Sequence, residues 1–106
     1  MSAVRILRED PCSPDFKPLE EALRAWEIRR SDQKESHRLA MELIDHALEF
    51  DDPVVTAWAY LTCGAHELAA NDLDQAAESL ESAKKLFKRT GEKRGESLAV
   101  VLRARV

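Results

Sequence analysis

The residues whose types suit chemistry are few: three histidines, two cysteines and one pair of adjacent aspartates. His37, His46 and His66 form no His-x-x-x-His pair, and Cys12 and Cys63 form no Cys-x-x-Cys pair; those spacings put two metal ligands within reach of one ion. Cys63 and His66 are three apart, so a helix would turn both to one side, and a two-ligand metal site is conceivable there. No further ligand accompanies them, and Cys63 reads more simply as a small core hydrophobe. His46 follows Glu42 by one helical turn. The pair is readable as an acid–base couple, but a surface i, i+4 contact explains it with less. Asp51 and Asp52 lack the glycine of a calcium loop and are accounted for as a helix cap. The only glycines, Gly64, Gly91 and Gly95, cannot make a phosphate-binding loop. The sequence therefore assigns no catalytic residue, no metal ligand and no cofactor site, and predicts a chain that is not an enzyme.

Composition narrows the rest. With 106 residues the chain predicts a single domain. Apolar residues make up 44% and charged residues 34%, which fits helices with one face in solvent and argues against disorder. The net charge is -4, and acids sit close to both basic clusters, Arg29-Arg30 and residues 84–94. A nucleic-acid partner would want a dominant basic face, so none is expected. No apolar run approaches the ~20 residues of a membrane span, and residues 1–10 are charged and too short for a secretory signal. The expected compartment is the cytosol, with no membrane partner and both thiols reduced; Cys12, between prolines, reads as a loop thiol.

Punctuation then divides the chain into helices. Pro11, Pro14 and Pro18 make residues 1–14 a loop lead-in. A first helix starts between Ser13 and Pro18 and runs to about Arg30, with Leu19, Ala22, Leu23, Trp26 and Arg30 on one face. Asp32 with Glu35 predicts a capping box opening a second helix, whose apolar stripe is Leu39, Ala40, Leu43, Ile44, Ala47 and Leu48. Asp52-Pro53 is the clearest boundary and opens a third helix to about Ala70. Asn71-Asp72 makes the next turn, with Asp72 capping a fourth helix through Leu73, Ala76, Ala77, Leu80, Ala83, Lys84 and Phe87. Gly91 ends it with positive φ. A polar turn to about Gly95 precedes a fifth helix containing Leu98, Ala99, Val101, Leu102 and Val106. No stretch alternates with a strand's period beyond fragments. The expected fold is all-α: hairpins over 15–53 and 54–90, then the fifth helix over 95–106.

The hairpins are related. Ala40, Ile44 and Ala47 recur as Ala76, Leu80 and Ala83, a period of 36 residues. The segment Ala22-Leu23-Arg24-Ala25-Trp26 lines up, at an offset one residue shorter, with Ala57-Trp58-Ala59-Tyr60-Leu61. Two-helix units of this length, with small residues at the crossing, resemble the tetratricopeptide repeat. The likeness is best over residues 57–87, where Tyr60 is the large residue of the first helix, Gly64 the small residue of close approach, and Ala76, Leu80 and Ala83 the small-large-small set. Departures are Cys63 in place of Leu, Glu67 in place of an aromatic, Lys88 in place of the closing proline, and Ile28 in place of glycine in the first unit. The resemblance implies antiparallel hairpins stacked as a short right-handed solenoid.

It also implies a function. In such arrays the first helix of each repeat lines a concave groove. Carried over, the partner-binding candidates are Trp58, Leu61, Thr62, Ala65, Leu68 and Ala69, although Trp26 and Trp58 read first as core. These positions are mostly apolar and lack the Lys, Asn or Arg that would clamp a terminal carboxylate, so an amphipathic helix or hydrophobic segment is the expected ligand. The main expectation is a non-catalytic module that binds a protein or peptide. A rival is self-association, as a homodimer, through Leu98, Val101, Leu102 and Val106, which no later helix covers. A third is the N-terminal sensory arm of a larger bacterial signalling protein, a nucleotide cyclase or transcription regulator, because residues 86–95 resemble inter-repeat linkers of such proteins.

Overall fold

Prolines and aspartates set where helices begin. The computed structural model describes residues 17–47 and 52–106, and among these the only regular elements are α-helices. The expected lead-in, together with Cys12, Leu48 and Asp51, lies outside the described residues. Helix α1 spans Pro18–Glu27, with Pro18 at its first position and Glu20 and Glu21 in its first turn, where carboxylates complement the helix dipole. It ends before the expected Arg30.

Asp32 caps α2 (Gln33–Asp45) by accepting from the Glu35 backbone N–H at 3.3 Å. The reciprocal half of the expected box is differently used. The Asp32 N–H goes to the Ile28 carbonyl, and the Glu35 carboxylate accepts from Arg38 at 3.0 and 2.8 Å. Helix α3 (Pro53–Ala69) opens as Asp52 accepts from the Val54 N–H at 3.0 Å, with Pro53 at the first position.

The next two turns share one device. After α3, Asn71 takes φ 62°, its N–H bonds the Leu68 carbonyl and the Asp72 N–H bonds the Glu67 carbonyl. After α4 (Leu73–Thr90), Gly91 takes φ 79°, with matching bonds from Gly91 to Lys88 and from Glu92 to Phe87. Both are left-handed closures that satisfy the last carbonyls of a helix. Asp72 holds the N-cap position of α4, but its side chain makes no capping bond. Helix α5 covers Lys93–Arg103 and is capped by Glu92, which accepts from the Arg94 N–H. Gly95 therefore sits inside α5 and not in the turn, and Val106 lies beyond the helix.

Helix α3 is the centre, packing on α1, α2, α4 and α5. A helix that meets neighbours on most sides must be apolar nearly all round, and from Val55 to Gly64 α3 is buried at every residue but Thr56 and Tyr60. Trp58 anchors the core: its ring lies 6.2 Å from Trp26 and meets Phe87 edge-on at 5.1 Å. Leu43, Val55, Leu61 and Leu80 fill in around them.

Two glycines allow close crossings. A Cβ on Gly64 would lie 2.6 Å from Leu80 Cδ2, so α3 and α4 touch there with no room for a side chain. A Cβ on Gly95 would overlap the Phe87 ring, which sets α5 directly on α4. The body measures 41 × 28 × 19 Å, and no described helix is long and apolar enough to cross a membrane.

Candidate docking groove

Helices α1, α3 and α5 leave an open groove of about 380 Å³ between them. Its floor is apolar: Trp26 from α1, Ala65, Leu68 and Ala69 from α3, and Leu98, Val101 and Leu102 from α5. Around that floor stand polar groups, Arg29 and Arg30 just after α1, Gln33 at the start of α2, His66 on α3 and Arg105 after α5.

The sequence-predicted residues divide sharply. Ala65, Leu68 and Ala69 line the groove. Trp58, Leu61 and Thr62 do not: they are 2%, 0% and 0% exposed, and the Thr62 hydroxyl is turned back onto the Trp58 carbonyl at 3.0 Å. The physical reason is the central position of α3, whose first three turns are enclosed by its neighbours while its last turn emerges between α1 and α5. Both tryptophans are buried, with Trp26 also reaching the groove wall. Leu98 and Leu102 are half-buried on the core and, with Val101, wall the same groove. Val106 is 38% exposed and outside it. Ala65, Leu68 and Ala69 of the residues expected to bind a partner thus share one surface with Leu98, Val101 and Leu102 of those expected to self-associate.

Charge was harder to foresee. Arg29 is held flat, its guanidinium 3.6 Å over the Trp26 ring centroid and donating to the Trp26 carbonyl at 2.8 Å. Burial, and then the adjacent Arg30, pull its pKa below the ordinary arginine value. Among the described residues no carboxylate is paired with Arg29, Arg30 or Arg105. Away from the groove ion pairs do form: Arg38 bridges Glu35 and Glu42, Lys84 and Arg103 meet Glu81, and Arg24 meets Glu21.

Beneath the groove lies a polar latch. Because α1 stops at Glu27, the Arg29 N–H bonds the Trp26 carbonyl at 3.4 Å and leaves the Ala25 carbonyl without that helical partner. The fully buried Ser36 hydroxyl donates to Ala25 O at 2.6 Å, and His66 Nε2 lies 2.8 Å from the Ser36 Oγ. A hydroxyl has one proton. With that proton on Ala25 O, His66 must donate from Nε2 and cannot act as a base toward Ser36. Ser36 and His66 therefore tie α1, α2 and α3 together and form no nucleophile–base pair. Burial first, then His37 and Arg29, hold His66 below its ordinary pKa; His37 meets it edge-on at 5.6 Å.

Other chemical candidates are also engaged by their neighbours. Burial, with Glu67 and Asp45, pushes the Cys63 thiol up to about 12, which disfavours the thiolate. Its Sγ contacts Met41 Sδ at 3.7 Å, on a different partner from His66. The Glu42 carboxylate accepts from Arg38 at 2.9 Å. Glu67, raised by burial against the opposing effect of a Ser79 hydrogen bond, links α3 to α4 at 2.7 Å. No group of three His, Cys, Asp or Glu side chains among the described residues is arranged to hold a metal. Comparison of the chain with protein-family models, curated proteins and solved structures finds no match.

Proposed function

We propose that this chain is a non-catalytic interaction module, built of stacked helical hairpins in the manner of a tetratricopeptide array, that seats a segment of another protein between α1, α3 and α5. The observation that carries the reading is the groove itself: an open apolar floor whose walls come from every second helix. The pattern of neighbours supports the stacking, because each described helix packs on the one or two that adjoin it in chain order. Apolar floors with a polar surround are a recurring seat for an amphipathic helix.

A second reading, self-association through α5, rests on Val100 and Val101, 49% and 53% exposed. A two-fold contact through the groove is opposed by charge, since the same patch on both copies would set Arg29, Arg30 and Arg105 against themselves.

The test is selection of binders from a library of helical peptides. Ala69→Trp, which fills the groove from an exposed position, is expected to abolish their binding, while Lys85→Trp on the outer face of α4 leaves it intact. Binders indifferent to Ala69→Trp would contradict the proposal.

A further inference from the structure

The sequence argued for an apolar ligand because α3 brings no cation to the groove. The structure supplies cations from elsewhere, the ends of α1 and α5. Resting on the docking reading above, we infer that the occupant is an acidic amphipathic helix, whose apolar face meets Leu68, Leu98 and Val101 and whose flanking carboxylates pair with Arg29, Arg30 and Arg105.

Charge complementarity carries this. The chain is acidic overall, at -4, yet the groove is bordered by three arginines and no aspartate or glutamate. Elsewhere on the described surface, Arg24, Arg38, Lys84 and Arg103 are matched by Glu21, Glu35, Glu42 and Glu81. Three arginines gathered around an apolar floor with no carboxylate among the lining residues are the counterpart of an acidic ligand. Arg29 is already immobilised by the Trp26 ring and carbonyl. Guanidinium carries five N–H donors, so it retains an edge for a carboxylate and loses little freedom in binding one. The spacing required of the ligand is that of a helix, with anchors at i, i+3, i+4 and i+7.

Three synthetic helical peptides with identical leucine anchors and amidated C-termini test it, their flanking positions being Glu, Gln or Lys. They are titrated calorimetrically into the full chain and into an R29Q/R30Q/R105Q variant. The Glu peptide is expected to bind about tenfold tighter than the Gln peptide, as a few partly desolvated ion pairs would give, and the Lys peptide weaker still. Half-molar salt and the triple variant should each erase the Glu-over-Gln difference. Equal binding of Glu and Gln peptides to the wild-type chain overturns the acidic-ligand inference and leaves the docking reading standing. Binding of no peptide overturns both. No uptake alongside a doubled mass by light scattering gives the groove to a second copy. No uptake alongside cross-links from a photoreactive residue at position 69 into residues 1–16 gives it to the chain's own lead segment.

Discussion

The two hairpins solve the same packing problem by different means. In α3–α4 the crossing is steric: Gly64 removes a side chain so that Leu80 can lie against the backbone. In α1–α2 the corresponding position is Ile28, and the helices are joined by a buried hydrogen bond from Ser36 to the Ala25 carbonyl, shared with His66 of α3. A steric crossing fails when volume is added. A hydrogen-bonded crossing fails when a donor is removed. The difference also has a functional side, because the polar latch lies directly under the basic end of the groove, whereas the glycine crossing lies on the far side of α3.

That contrast can be broken at its strong end first. Gly64→Val is expected to cost at least 3 kcal/mol, above the usual range for overpacking, because its added atoms meet Leu80 inside 3 Å; urea unfolding at pH 7.5 reads it. Ser36→Ala adds no volume and should cost about 1–3 kcal/mol by stranding the Ala25 carbonyl and the His66 N–H, again by urea unfolding.

A smaller effect separates the hairpins by pH. His66 is held below its ordinary 6.5 when folded, so the unfolded chain takes up a proton first. Stability contributed by neutral His66 is therefore complete above about pH 6.5 and declines as pH falls through that value. Unfolding midpoints at pH 8 and pH 6 should differ more for the native chain than for His66→Gln, while Gly64→Ala leaves the pH dependence unaltered. The smallest contrast is between two caps. Asp52→Ala should cost about 1 kcal/mol, since its carboxylate accepts from Val54 N–H. Asp72→Ala should cost only a few tenths, since no such bond exists there. Equal losses in thermal denaturation would contradict that assignment.

Which of these features the sequence discloses follows from how local they are. Helix limits are legible because Asp52-Pro53, Asn71 and Gly91 act on the backbone of their own turn. Gly64 is legible through the resemblance to a known two-helix repeat, in which a small residue marks the close approach, and not through the internal period, since Ile28 stands at the matching position. Gly95 is not, because its reason for being glycine is the Phe87 ring eight positions earlier on another helix. The placing of Trp58, Leu61 and Thr62 in the groove fails for a related reason. A helix apolar on nearly every side carries no stripe to say which side is covered, and only the packing of α1, α4 and α5 decides it. Ser36 and His66 are thirty residues apart, so nothing in either neighbourhood announces the latch. The arginines are visible as Arg29-Arg30, but Glu27 and Asp32 nearby in sequence look like partners and do not pair with them. Arg105 joins them only through the fold.

The most direct measurement is a backbone-amide NMR titration of the full chain with the acidic amphipathic peptide. The account predicts that the largest shifts fall on Ala65, Leu68, Ala69, Leu98, Val101 and the Arg29–Arg30 turn, with α2 and the outer face of α4 nearly unmoved. Shifts centred on the outer faces of α2 and α4, or none at saturating peptide, would contradict it.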